Sequence, residues 1–193
     1  MMLADIIVSK TRVKLLEIFL SDSAAMYHVR DLVRKTDEEI NAVRRELLRM
    51  ENAGLVKKEA RGNRLYYWFR KDYIYFSDLL SMVCKSTGLG GAINKNKSKL
   101  GNIQIVTISG RFARHEPRKK PDEVEVLVVG DVSMQELAAI VRVEETKREQ
   151  PINYTPMTMD ELKFRRTRRD PFLQSILMSE RIVIVGNEED LVG

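Results

Sequence analysis

The chain has 193 residues, 44% hydrophobic and 32% charged, as expected of a soluble, folded protein of one or two domains. No apolar run approaches the roughly 20 residues that a bilayer crossing needs, and the N-terminus lacks the long apolar stretch of a signal peptide, so a cytoplasmic protein with no membrane partner is expected. One cysteine, Cys84, excludes an internal disulfide, two isolated histidines, His28 and His115, leave no zinc cluster, and the net charge of +5 is concentrated in residues 1–70, with 14 Lys or Arg against 10 Asp or Glu.

In chain order, Ser9 is a candidate cap for a helix reaching Leu20, with Val13, Leu16 and Leu20 on one face and Leu15 and Phe19 widening it. After the polar turn Ser21-Asp22-Ser23, residues 27–35 repeat the pattern with Val29, Leu32 and Val33. Thr36 followed by Glu39 has the spacing of a capping box, which predicts a helix from there to Ala53-Gly54. Ile40, Val43, Leu47 and Met50 form its apolar stripe. The opposite face displays Asn41, Arg45 and Arg49, with Arg44 on the flank. Residues 55–59 and 64–69 alternate as strands, and Arg61-Gly62-Asn63 joins them into a basic hairpin.

The run SKTRVKLLEIFL, then YHVRDLVRKT, then INAVRRELLRMENAGLVKKEARGNRLYYWF resembles the winged helix-turn-helix domain of ArsR-like prokaryotic transcriptional regulators, over residues 1–70. The resemblance implies that the third helix enters a DNA major groove, with Asn41, Arg45 and Arg44 at base edges and Arg49 on the same face. Arg61 and Arg64 of the wing would hold the phosphate backbone. Taken alone, the arginine face equally describes a solvated amphipathic helix with Glu46 and Arg49 paired at i, i+3.

Residues 71–87 are aromatic and apolar, with Tyr73, Tyr75, Phe76, Leu79, Leu80 and Val83, and predict a connector helix ended by the glycines from Gly88 to Gly91. Its apolar surplus suits packing on a second subunit or between domains. Asn94 to Lys99 reads as a short helix or loop, which places the domain boundary between residues 86 and 100. Beyond it, residues 103–108, 124–129, 152–155 and 181–185 have strand character. Helices opened by Ser133 with Glu136 and by Thr158 with Glu161 alternate with them, the order of an α/β sheet domain.

ISGRFARHEP, PDEVEVLVVGDVS, INYTPMTMDEL and DPFLQSILMSERIVIVGNEEDL are together similar to minimal nucleotidyltransferase domains of the DNA polymerase β type, over residues 101–193. In that family Gly-Ser binds nucleotide phosphates, and Asp-x-Asp with a third acid holds two magnesium ions. Here Gly110 is followed by Arg111, Glu123 and Glu125 stand at the aspartate positions, and Asn153 lies near the strand that would offer the third acid. A glutamate is one methylene too long for a near-octahedral magnesium site built for aspartate. Arg111 is expected to neutralise Glu123 or Glu125, or else to bind a phosphate.

The basic run of Lys163, Arg165, Arg166, Arg168 and Arg169 fits either a solvated helix face or an extended nucleic-acid footprint. The sequence thus predicts a two-domain α+β protein: a winged helix-turn-helix in residues 1–70, a connector in 71–100 and a degenerate nucleotidyltransferase-like domain in 101–193. The expected function is transcriptional regulation on double-stranded DNA, as a homodimer with a nucleotide or protein effector, without a cofactor and without catalytic residues. An active nucleotidyltransferase using Mg2+ and a nucleotide, and a toxin-antitoxin component, are the alternatives.

Overall fold

The computed structural model describes residues 6–193: a mixed α/β chain in which ten helices and two small sheets alternate. It divides into two compact units, Met1–Val83 and Cys84–Gly193, and the division falls inside one helix. No helix among the described residues is long and apolar enough to cross a membrane.

The first unit opens with α1 (Lys10–Ser21), capped by Ser9, whose hydroxyl accepts from the Arg12 N–H at 3.3 Å. A two-residue strand β1 (Tyr27–His28) precedes α2 (Val29–Thr36) and α3 (Ile40–Asn52), and the hairpin of β2 (Val56–Arg61) and β3 (Arg64–Phe69) follows. The core gathers Leu15, Leu16, Phe19 and Leu20 of α1 with Leu32 of α2, Leu47 of α3 and Phe69 of β3, all at most 2% exposed. β3 lies between β1 and β2, antiparallel to both. Gly62, at φ +58°, takes the first of the two turn positions between Arg61 and Arg64, the place where a two-residue hairpin favours glycine. Tyr27 and His28 are strand and cap, not the helical residues the periodicity predicts: they pair with Tyr67 and Tyr66, and His28 Nδ1 accepts from the Arg30 N–H at 3.3 Å.

The expected capping box at Thr36 is absent. Thr36 is the last residue of α2, and its hydroxyl donates back to the Leu32 carbonyl at 2.7 Å. Asp37 leaves the helix in the left-handed region at φ 52°, and α3 begins at Ile40 with no side-chain cap from Glu39. A short turn thus separates two helices where the sequence predicts a helix start.

After α4 (Phe76–Ser86), α5 (Gly88–Lys95) starts where the glycine run was expected to end the helix. The glycines serve close approach instead: a Cβ at Gly90 would lie 2.2 Å from the Cys84 carbonyl oxygen. The second unit then runs β4 (Gly101–Ser109), α6 (Gly110–Ala113), β5 (Val126–Val132), α7 (Met134–Arg148), β6 (Tyr154–Met157), α8 (Met159–Thr167), α9 (Pro171–Leu177), β7 (Arg181–Val185) and α10 (Glu188–Val192). The sheet order is β6-β5-β4-β7, with β4 antiparallel to both neighbours and β5 parallel to β6 across the α7 crossover. Ile105, Leu127 and Val129 bury one sheet face against Leu162, Leu173 and Leu191 of the helices. Val126 and Val128, pointing the other way, are equally buried, which explains the unbroken apolar run of β5. Of the two predicted boxes, Thr158 accepts from the Glu161 N–H at 3.1 Å, while Ser133 caps α7 by backbone position alone.

Candidate functional site

Two surfaces hold the residues singled out by the sequence, one in each unit. In the first, the α3 stripe turns Val43, Leu47 and Met50 inward and leaves Asn41, Arg44, Arg45 and Arg49 exposed. Glu46, on the same helix, is buried, and it accepts from Arg12 Nε at 2.8 Å and from Arg49 Nη1 at 2.7 Å. Burial pushes its carboxyl pKa up, but the hydrogen bonds from Arg12 and Arg49 outweigh this and hold it below the ordinary glutamate value. Arg49 is therefore partly neutralised. Arg44 and Arg45 form no hydrogen bond or ion pair with an acid among the described residues.

At the hairpin tip, Arg61 and Arg64 face each other across the turn. Arg61 reaches Glu59 at 3.3 Å and lies over the Tyr66 ring, 5.7 Å from its centroid, whereas Arg64 is exposed and pairs with no acid among the described residues. Arg30, in the first turn of α2, is a further exposed cation that pairs with no acid among the described residues. Helical period alone does not single it out, because it sits beside Asp31 and Arg34, which pair with each other at 2.9 Å.

In the second unit a cleft of about 620 Å³ opens where β4 passes into α6. Ser109 caps α6 by accepting from the Phe112 N–H at 3.2 Å, and the Gly110 N–H donates to the Glu180 carbonyl at 2.7 Å. A Cβ here would lie 3.0 Å from the Glu180 side chain, a tight approach that Glu180 would have to yield to. Arg111 does not reach Glu123 or Glu125. Its guanidinium donates twice to the Pro117 carbonyl, at 3.0 and 2.6 Å, and approaches Glu116 at 3.6 Å. The cation that neutralises Glu125 is Arg118, whose Nη2 donates to Glu125 Oε2 at 2.6 Å and also to the Pro151 carbonyl. This hydrogen bond raises the Arg118 pKa above its already high ordinary value.

The two acids precede β5 rather than alternate along it, since the strand starts at Val126. Glu125 also accepts from the Asn153 N–H at 2.9 Å, and Glu123 Oε2 accepts from the Lys119 N–H at 2.5 Å. Asn153 Nδ2 donates to the Pro121 carbonyl at 2.7 Å and to the Glu123 carbonyl at 3.1 Å, pinning the loop between Pro117 and Glu125. Asn153 thus acts as a loop clasp, a role that a search for a third acid overlooks. Both carboxylates are held by donors from their own loop and from Asn153, an arrangement that does not fit a magnesium pair. Among the described residues no group of three or more His, Cys, Asp or Glu side chains is placed to hold a metal ion. Burial raises the Cys84 thiol pKa to about 11, which disfavours the thiolate.

Comparison with protein-family models, with curated proteins and with solved structures finds no match to this chain.

Proposed function

We propose that this chain is a sequence-specific DNA-binding transcriptional regulator whose first unit acts as a winged helix-turn-helix. In this reading α3 enters the major groove and the β2–β3 tip lies on the phosphate backbone. The observation that carries it is the pair Arg44 and Arg45: adjacent, exposed and without an acid partner, on a helix whose one buried acid is already shared by Arg12 and Arg49. Asn41 stands one turn before them. Arginine reads guanine O6 and N7, and asparagine reads adenine N6 and N7, so this face carries base-edge chemistry as well as charge. Arg61 and Arg64 supply positioning contacts.

The second unit, in this reading, is a nucleotidyltransferase-like domain that no longer catalyses transfer. Arg118 neutralises Glu125 where metal chemistry would need a free acid. Its cleft then serves to sense an effector, a nucleotide or a segment of a partner protein, and the regulator acts in the cytoplasm as a homodimer on two half-sites about one helical turn apart.

Selection of bound duplexes from a randomised pool tests the proposal. Enrichment of a palindromic motif that the Arg44→Ala, Arg45→Ala variant fails to enrich is the expected result. Recovery of an unenriched pool by the native chain overturns it. Incorporation of labelled nucleotide into the chain or an added acceptor, abolished by Glu125→Gln, would instead assign the second unit to nucleotidyl transfer.

A further inference from the structure

The basic run from Lys163 to Arg169 belongs to neither surface described above. It lies on α8 and the turn into α9, within the second unit. α8 buries Leu162 and turns its opposite face to solvent, so that Phe164 is 57% exposed. One turn on, Arg168 lays its guanidinium over this ring, 4.6 Å from the centroid. Arg165 does the same for the exposed Phe172 of α9, at 5.5 Å.

The two arginines play different parts. Arg165 is held by Glu161 at 2.8 Å and by Asp170 at 3.3 Å, so its charge is neutralised and it fixes the position of Phe172. Lys163, Arg168 and Arg169 are exposed and pair with no acid among the described residues. A shallow cleft of about 240 Å³ is lined by Phe164, Arg165 and Arg168 together with Glu161 and Asp170, the two acids that hold Arg165.

We propose that this corner of α8 and α9 binds single-stranded nucleic acid, with unpaired bases stacked on Phe164 and Phe172 and the phosphates held by Lys163, Arg168 and Arg169. A solvated helix end explains cations in the last turn, through the macrodipole, but leaves two exposed phenyl rings without a role. Duplex phosphates would engage the cations and ignore the rings, because paired bases present no free face. An anionic membrane surface is a poorer fit, since a ring capped by a guanidinium cannot enter the acyl layer without carrying the charge with it. Bases have a π-face whatever their identity, and both phenyl rings and guanidinium planes stack on it, so the site tolerates sequence.

The test is fluorescence anisotropy of the full chain with labelled oligo-dT and oligo-U of about 20 nucleotides at about 50 mM salt. Saturable binding is expected, about tenfold weaker in Phe164→Ala, the loss of roughly one base stack. Phe164→Tyr, which keeps the stack, should bind as the native chain does. Arg168→Ala should lower the salt slope by about one ion. The exposed positions keep these variants folded, which unchanged thermal unfolding verifies. Preference for the dT or the U strand identifies DNA or RNA as the source. Absence of saturable binding, equal binding by Phe164→Ala, or co-sedimentation with anionic vesicles in place of oligonucleotide binding overturns the proposal. Single-strand binding that falls with Arg45→Ala moves the strand to α3 and overturns it as well, whereas loss of duplex binding alone leaves it standing.

Discussion

Arg118 closes on Glu125 at 2.6 Å, while Arg111 of α6, seven residues earlier, turns its guanidinium to the Pro117 carbonyl. The two arginines therefore carry unequal weight. Glu125 is nearly buried and Arg118 is about three-quarters covered, so removing the guanidinium leaves a desolvated carboxylate without a counter-charge.

Arg118→Ala is expected to destabilise the chain by about 2 to 4 kcal/mol, near the range for breaking a buried pair, and Arg111→Ala by about 1, the loss of hydrogen bonds to one carbonyl. Urea midpoints of the two variants give the comparison. Replacing both partners, as Arg118→Met with Glu125→Met, should restore part of the loss, because an apolar pair leaves no unpaired charge. Equal midpoints for the two single variants would contradict the assignment of Arg118 as the counter-ion.

Glu46 makes the first unit sensitive to acid. Its folded pKa lies below the ordinary 4.5, so its contribution is fully present above that value and is lost as the pH falls through the depressed folded pKa. Thermal unfolding followed from about pH 7 to about pH 3 should show native stability falling in the acid limb more steeply than that of Glu46→Gln, which has no carboxylate to protonate. Parallel curves would mean that Arg12 and Arg49 do not depend on the charge of Glu46.

Ile74 and Tyr75, 80% and 57% exposed just before α4, are the apolar side chains that a second copy would cover in the proposed homodimer. Sedimentation velocity at about 50 μM should find a dimer for the native chain and a shift toward monomer for Ile74→Asp, since a charge desolvated at an interface is costly. A native monomer, or a dimer indifferent to Ile74→Asp, would move the contact elsewhere or remove it.

Local patterns made several elements legible, and partner choice made others opaque. Ser9 and Thr158 announce helix starts, and their hydroxyls accept from backbone N–H groups of the first turn. Thr36 has the same type and spacing, yet its hydroxyl bonds back to Leu32, since a threonine can serve a helix end as readily as a start. The glycines from Gly88 to Gly91 read as a stop, and only the packed structure reveals that Gly90 is small because the Cys84 carbonyl passes it. Exposure of Arg44 and Arg45 follows from helical period alone. What it does not give is the sharing of Glu46 between Arg49 and Arg12, which stands 34 residues earlier in the chain. Arg118 was hidden for a related reason: its reach to Glu125 depends on the loop path and on the Asn153 clasp, neither of which has a periodicity.

The decisive measurement is the salt-dependent affinity of the full chain for its selected operator and for an unrelated duplex, compared among native, Arg45→Ala and Arg64→Ala chains. Arg45→Ala should lose about 1 to 3 kcal/mol on the operator and much less on the unrelated duplex, because a base-edge contact carries discrimination. Arg64→Ala should weaken both duplexes alike and reduce the salt slope by about one ion. If the native chain binds neither duplex at low salt, or if Arg45→Ala weakens both equally, α3 does not read DNA sequence.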